Sequence, residues 1–152
     1  TVGDRPVDIE YEATEGAVFV LASGETLYDA NWNVTGHTVA TLSKFDGLNA
    51  PLSINVGAVG DHPRSIALTA VDHNILLVNQ HISAFQSNLN PLCNECISGS
   101  FYTIDTDDDG NAFVTSIPDF TTASSVKQFD ASDYGFAREF EGGVGTSAVF
   151  KP

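Results

Sequence analysis

Short apolar segments separated by turn residues recur along the whole chain and restrict its fold more than any other feature. Most segments are rich in β-branched or aromatic residues, which fit the pleated surface of a sheet. Gly, Pro, Asn and Asp bound them at intervals of roughly 10 to 15 residues. Strands this regular, with no helices alternating between them, predict antiparallel sheets. The segments are residues 7–11, 17–22, 31–42, 52–59, 65–71, 74–82, 100–104, 112–117 and 144–150.

We therefore predict an all-β fold, an antiparallel β-sandwich or jelly roll of about nine strands. A chain of 152 residues has the size of one domain and can bury a core without a structural metal, so residues 1–152 are expected to form a single β-domain. Only residues 121–142 carry helix signals, because Phe136 and Phe140 have the spacing of one helical face. At most one short helix is expected there.

Two segments differ in how their side chains should be buried. Residues 17–22 are apolar at every position, which predicts a strand covered on both faces. In the first segment apolar residues alternate with acidic ones, which predicts a buried apolar face and a wet acidic face. We expect residues 1–12 to form an edge strand, paired within the chain or exchanged with another copy. The apolar positions are Val7, Ile9 and Tyr11, and the acidic ones are Asp8, Glu10 and Glu12.

The charge balance excludes several classes of partner. The chain contains twenty acidic and six basic residues, so the net charge is −14. A chain this acidic repels phosphate, which argues against nucleic acid and anionic membranes as partners. No segment approaches the roughly 18 apolar residues that a membrane helix needs, so no membrane span is predicted.

Several features favour an extracellular or cell-surface location. The chain contains no methionine and begins at Thr1, as expected of a processed chain after export. Asn33-Val34-Thr35 is an acceptor sequence for N-glycosylation, which agrees with export and makes Asn33 the predicted glycan site.

Residues 105–111 contain the spacing of the first half of a calcium loop. Asp105, Asp107 and Asp109 stand at alternate positions before Gly110, and carboxylate oxygens in such a series suit Ca²⁺. The glutamate that would complete the loop is replaced by Ser116, and the flanks read as strands. Two interpretations remain open, an acidic hairpin tip without an ion and a hairpin tip that binds Ca²⁺.

Cys93 and Cys96 form a CxxC motif in a segment that reads as a loop before a strand. Redox chemistry needs this motif at a helix N-terminus, and a zinc site would need two further ligands that no histidine spacing suggests. We predict a disulfide between the two cysteines, with metal binding, intermolecular pairing and redox chemistry as alternatives.

No enzyme signature is present. The nucleophile elbow, the zincin motif and the phosphate loop are all absent from the sequence, so no catalytic residue is predicted and the chain is not expected to be an enzyme. Trp32 is the one tryptophan, and its polar neighbours make it a candidate for a ligand-facing ring as well as for the core. Tyr28 is its nearest aromatic companion in the sequence.

Two functional classes follow. The first is a structural or adhesive surface protein, a filament or surface-layer subunit that associates with itself or with another surface protein through strand pairing. The second is a lectin-like carbohydrate-binding module, with Ca²⁺ at residues 105–111 and a glycan on Trp32 or Tyr28. A hydrolase that uses two of the many carboxylates is a third alternative.

Overall fold

The protein is described by a computed structural model, which covers residues 2–47, 49–116, 124–130 and 132–141. Within these ranges the chain forms twelve strands and no helix. The strands are β1 (Pro6–Glu12), β2 (Ala17–Ala22), β3 (Thr26–Tyr28), β4 (Val34–His37), β5 (Thr41–Phe45), β6 (Leu52–Asn55), β7 (Ser65–Leu68), β8 (Ile75–Phe85), β9 (Pro91–Thr106), β10 (Asn111–Ser116), β11 (Ser125–Asp130) and β12 (Phe136–Glu141).

The strands form two sheets and a ribbon, and their pairing is antiparallel throughout the described residues. The four-stranded sheet has the order β1-β2-β5-β6, the six-stranded sheet has the order β12-β11-β10-β9-β8-β7, and β3 pairs with β4 alone. The predicted all-β sandwich is therefore confirmed. No helix in the described part of the chain is long and apolar enough to cross a membrane.

Two hydrophobic cores lie on opposite faces of β7 and β8. Successive side chains of a strand point to opposite faces, so alternate residues of these two strands enter different cores. The first core lies between β7–β8 and the four-stranded sheet. The second core contains residues of β7, β8, β9, β10 and β11, which all belong to the six-stranded sheet. The six-stranded sheet must therefore curve around the second core. Ile66, Ile75 and Leu77 enter the first core, and Ala67, Leu76 and Val78 enter the second.

The burial of β2 agrees with the prediction for residues 17–22. Ala17, Phe19 and Leu21 are fully buried in the first core, and Val18 and Val20 are half-buried on the other face. Burying a side chain of the size of Phe or Leu stabilises the fold by about 1.5 to 3 kcal/mol, so this strand is a main support of the sheet.

The predicted orientation of β1 is wrong. Ile9 and Tyr11 are each 63% exposed and Val7 is 41% exposed, whereas Glu12 is 3% exposed and Asp8 and Glu10 are half-buried. The acidic face turns inward because β7 is the edge strand of the six-stranded sheet, and the donor groups on its unpaired edge need acceptors. Asp8 Oδ2 accepts hydrogen bonds from Ser65 Oγ and from the Ile66 N–H, both at 2.9 Å.

Two other segments depart from the sequence prediction. Residues 31–42 are not one strand, because a turn at 29–33 precedes β4, and β4 ends before β5 begins at Thr41. The described parts of 121–142 contain β11 and β12, and Phe136 and Phe140 lie in β12 rather than on a helix. The predicted strand at 144–150 lies outside the described residues.

Pairing between β8 and β9 is irregular, and this irregularity positions the candidate site. The register shifts between Gln80 and Ile82, between Ile82 and Ala84, and again at Phe85. At each shift β9 carries more residues than β8, so the surplus residues bulge out of the sheet.

Candidate functional site

An open cleft of about 800 Å³ lies where β8 and β9 lose their regular pairing. Buried side chains of the first core form its base, and polar side chains surround them. The polar lining residues come from the end of β6, the β6–β7 connection, β8, the β8–β9 turn and β9. The base includes Val56, Leu77, Phe85 and Leu89, and the amides, carboxylates and imidazole are Asn55, Asn79, Gln80, Asn90, Asn94, Asp61, Glu95 and His81.

Strained backbone surrounds this cleft. Gln80, Leu89 and Glu95 line it and have φ angles of 56°, 65° and 56°, in the left-handed region that favours glycine. Each non-glycine residue held there costs on the order of 1 to 3 kcal/mol, and such residues cluster at functional sites. Burial offsets the cost at Leu89, which is 2% exposed.

Gly57 brings the loop after β6 close to β8. Its φ is 74°, and a Cβ at this position would lie 2.9 Å from Asn79 Nδ2 and 3.1 Å from Asp61 Oδ2. Only glycine fits there without displacing polar side chains that line the cleft. The same loop is closed by Asp61, whose Oδ2 accepts a hydrogen bond from the Ala58 N–H at 2.7 Å.

The cysteine pair supports the opposite wall. Cys93 and Cys96 lie at disulfide distance, with 5.6 Å between their Cα atoms, in agreement with the predicted bond. The predicted loop context is wrong, because both residues lie inside β9. β9 runs from Cys93 to Ile97 while β8 advances only from Ile82 to Ala84, so the bridge closes the surplus residues of the bulge. Glu95 is held between the two cysteines.

The amide side chains of the cleft are not used by the fold. In the described part of the chain, none of the five lining amides makes a side-chain hydrogen bond within the protein. An amide both donates and accepts, so these groups match a ligand that does the same. The Nδ1 atom of His81 is buried and also lacks a partner among the described residues, while its Nε2 lies 3.8 Å from Glu95 Oε1.

A smaller cavity of about 370 Å³ adjoins the cleft and shares Asp61, Asn79 and Gln80 with it. The Arg64 guanidinium lies over the Tyr102 ring at 4.2 Å and lines this cavity. The cleft itself has no Lys or Arg among its described lining residues.

Trp32 and Tyr28 lie on the β3–β4 ribbon and do not line the cleft. Trp32 is 82% exposed and Tyr28 is 53% exposed, so neither ring belongs to the core. Their ring centres are 6.0 Å apart, with an angle of 55° between the planes. The ribbon meets the 57–62 loop at its base, where Thr26 Oγ1 lies 3.2 Å from His37 Nδ1 and 3.3 Å from His62 Nε2.

The aspartate series at 105–111 forms the predicted hairpin tip. Asp107 Oδ1 accepts hydrogen bonds from the Asn111 N–H at 2.8 Å and the Asp109 N–H at 3.1 Å, and its Oδ2 accepts one from Asn111 Nδ2 at 2.8 Å. These hydrogen bonds, those from Asn111 above all, hold the pKa of Asp107 below its usual value. In the described residues Asp105, Asp107 and Asp109 do not form a cluster that could hold a metal ion, and calcium binding stays a prediction.

Asn33 ends a turn of similar construction. Its Nδ2 donates to Asp29 Oδ2 at 3.0 Å, and these contacts lower the pKa of Asp29. The residue is exposed, and its glycosylation stays a prediction.

The cleft was not predicted from the sequence. Its amides come from separate segments and share no motif, and the cleft lies at bulges that depend on the pairing of β8 with β9. Gly57 and the cysteine pair are the sequence features that could have pointed to the cleft, because both mark irregular backbone beside it.

No known protein family matches the chain, and no curated protein matches it. Among solved structures the fold is similar to that of an auxiliary nutrient binding protein from Bacteroides ovatus ATCC 8483, with a TM-score of 0.56 and 15% sequence identity. The similarity covers 93% of this chain and 32% of that protein, so the chain spans about a third of its length. At this identity the likeness shows a shared fold alone.

Proposed function

We propose that the chain is an extracellular carbohydrate-binding module, and that its ligand binds in the β8–β9 cleft. One observation carries the proposal. Five amide side chains that the fold does not use line an open cleft with an apolar base, and two further features of the lining are the strained backbones of Gln80 and Glu95. Strain of this kind is retained where the surrounding structure forces a functional geometry.

The lining chemistry fits a polyhydroxylated ligand. A sugar hydroxyl donates and accepts, as an amide does, and the carboxylates of Asp61 and Glu95 add acceptors. Ala58 and Pro91 are exposed apolar residues of the lining, and such a surface suits the C–H face of a sugar ring. With no Lys or Arg in the described lining, the cleft favours a neutral ligand over an anionic one.

Binding rather than catalysis is the proposed activity. Asp61 holds its own loop through the Ala58 N–H, and no catalytic motif in the sequence includes either carboxylate of the cleft. The similar solved structure is described as a nutrient binding protein, which is compatible with the proposal, although the shared fold does not itself carry a function. The cysteine pair, Asn33 and the acidic surface support an extracellular location.

Removal of two cleft amides tests this function. The double substitution Asn55→Ala and Asn79→Ala deletes side chains that make no hydrogen bond in the described structure, so the fold should keep its melting temperature. Loss of hydrogen bonds worth about 0.5 to 1.5 kcal/mol each should weaken ligand binding about tenfold. Isothermal titration calorimetry with gluco-, xylo-, manno- and galacto-oligosaccharides measures the affinity.

Gln86→Ala is the matched control, because Gln86 is an exposed amide in the β8–β9 turn that does not line the cleft. It should leave the affinity unchanged. The proposal fails if the native chain binds none of these oligosaccharides, or if the double variant binds them as tightly as the native chain.

A structural or adhesive role is the second candidate function. The observation that favours it is the outward apolar face of β1, an edge strand with Ile9 and Tyr11 exposed. Such a face would support association with another surface protein or with a second copy. Substitution of Ile9, described below, tests this role.

A further inference from the structure

Three hairpins of this chain share one turn geometry. In residues 29–33, 86–90 and 107–111 the N–H of the first residue donates to the carbonyl of the fifth, at 2.9, 2.9 and 3.0 Å. The N–H of the fourth residue donates back to the carbonyl of the first. This arrangement places the fourth residue in the left-handed region, where glycine is favoured.

The fourth residues differ in how their backbone cost is offset. Gly110 has a φ of 84° and meets no steric penalty. Leu89 has a φ of 65°, and its burial in the first core offsets the strain. Trp32 has a φ of 63°, and hydrogen bonds to Asp29 hold its turn, but the indole is 82% exposed, so in the described chain no burial of the side chain offsets the backbone cost.

We propose that Trp32 and Tyr28 form a second carbohydrate-binding site, which stacks on the sugar rings of an extended polysaccharide. The inference rests on the proposed function, because it assigns the same ligand class to a different surface. Trp and Tyr each combine an apolar ring face with a polar handle, which matches a sugar ring that has a C–H face and hydroxyl edges.

The size of the ribbon favours a polysaccharide over a protein partner. The strands β3 and β4 have three and four residues, so at about 3.3 Å per residue the ribbon is roughly 13 Å long. A stable protein interface buries about 800 Å² on each partner, which a surface this small does not offer. Residues 25–38 contain no Lys or Arg, so the ribbon also lacks the charge that an acidic headgroup or phosphate would need.

The ribbon is anchored to the wall of the cleft. His62 Nε2 forms a hydrogen bond with Thr26 Oγ1 at the base of the ribbon, at 3.3 Å. Its Nδ1 lies 3.2 Å from the Ser23 carbonyl oxygen. The neighbouring Asp61 lines the cleft. One polysaccharide chain that contacts both surfaces would bind more tightly than a short oligosaccharide confined to either.

Trp32 reports on its own site, because it is the only tryptophan in the chain. Addition of soluble β-glucan, xylan, mannan or starch to the native protein should shift the indole emission to shorter wavelength with at least one of them. Trp32→Gly should weaken retention in gels that contain that polysaccharide by about tenfold. The same variant should unfold at an unchanged or higher denaturant concentration, since glycine relieves the left-handed strain.

Leu89→Gly is the matched control, because it relieves the same backbone strain but removes a buried side chain, and it should lower the unfolding midpoint. The inference fails if Trp32→Gly is retained as strongly as the native protein, or if none of the four polysaccharides changes the emission. The double variant at Asn55 and Asn79 separates the two proposals. If the double variant loses oligosaccharide binding while native Trp32 emission never responds, the cleft proposal stands and the ribbon site fails. If the emission shifts but the cleft binds no oligosaccharide, the ribbon site stands and the cleft proposal fails.

Discussion

At the scale of single residues, the carboxylates of this acidic chain divide by their surroundings. Asp29 and Asp107 accept hydrogen bonds from an asparagine in the same turn, which lowers the pKa of both. Glu10 has the opposite environment. Burial raises its pKa, and the nearby charges of Asp8 and Asp105 raise it further. The first two carboxylates stabilise their turns when ionised, whereas an ionised Glu10 opposes folding.

Glu10→Gln should therefore raise the melting temperature at pH 7. A raised native pKa means that Glu10 contributes most below its ordinary pKa of 4.5 and loses that contribution as the pH rises through the native value. The gain from the substitution should disappear at pH 3.5, where the unfolded chain is largely protonated at this position. Thermal unfolding at the two pH values measures the difference.

Asp109→Asn provides the control for net charge, since Asp109 is exposed at the hairpin tip and the change also removes one negative charge. An equal gain in both variants would show that general repulsion, and not the site of Glu10, is responsible.

At the scale of elements, β1 shows how hydrogen bonding can reverse a hydrophobic pattern. Its apolar residues face solvent because Asp8 serves the edge of β7 and Glu12 serves the following turn, where Oε1 accepts a hydrogen bond from the Thr14 N–H at 2.8 Å. Hydrogen bonds to a charged group stabilise by about 1.5 to 3 kcal/mol, comparable with burying one large apolar side chain. The strand therefore keeps an apolar outer face.

Ile9→Thr should change the free energy of unfolding by no more than about 0.5 kcal/mol, because the side chain is exposed. Glu12→Ala should clearly lower the free energy of unfolding, because loss of the buried carboxylate leaves the Thr14 and Glu15 N–H groups without an acceptor. Urea unfolding measures both. Strong destabilisation by Ile9→Thr would contradict the observed orientation of β1.

The same variant tests the structural role of this face. If the chain assembles through β1, sedimentation of the native protein should reveal oligomers that Ile9→Thr reduces. A native protein that stays monomeric at high concentration would rule out self-association through β1.

At the scale of the whole molecule, the net charge of −14 and the hydrogen-bonded carboxylates act in different pH ranges. Lowering the pH from 7 toward the isoelectric point near 4.2 relieves repulsion between carboxylates. Below that point, groups with lowered native pKa values must be protonated, and their contribution to stability is lost. These groups are Glu12, Glu15, Asp29, Asp107 and Asp130.

We expect the free energy of unfolding to be greatest between about pH 4.5 and 6 and to fall steeply toward pH 2.5. The sign follows from native pKa values below the ordinary 3.8 to 4.5, so stability present above those values is lost as the pH falls through the native ones. Denaturant titrations across this range measure the curve. A stability that keeps rising to pH 2.5 would mean that repulsion dominates over these hydrogen bonds.

The fold class and the strands whose signal is local could be predicted from the amino-acid sequence. Residues 17–22 show this, because their apolar run requires burial on both faces wherever the strand lies. The hairpin at 107–111 was also predictable, since glycine and aspartate determine the turn within a few residues. Cys93 and Cys96 are close enough in the chain for their pairing to be expected from the sequence.

Contacts between distant parts of the chain determine which way β1 faces and where the cleft lies. The orientation of β1 depends on the unpaired edge of β7, which lies more than fifty residues away in the chain. The cleft lies where β8 and β9 bulge, and Asn79 and Asn94 line it together with Asn55 from the end of β6. Periodicity describes how one strand divides its own side chains between two faces. It carries no information about the hydrogen-bonding needs of the strand that will lie against each face, and those needs determined the orientation of β1.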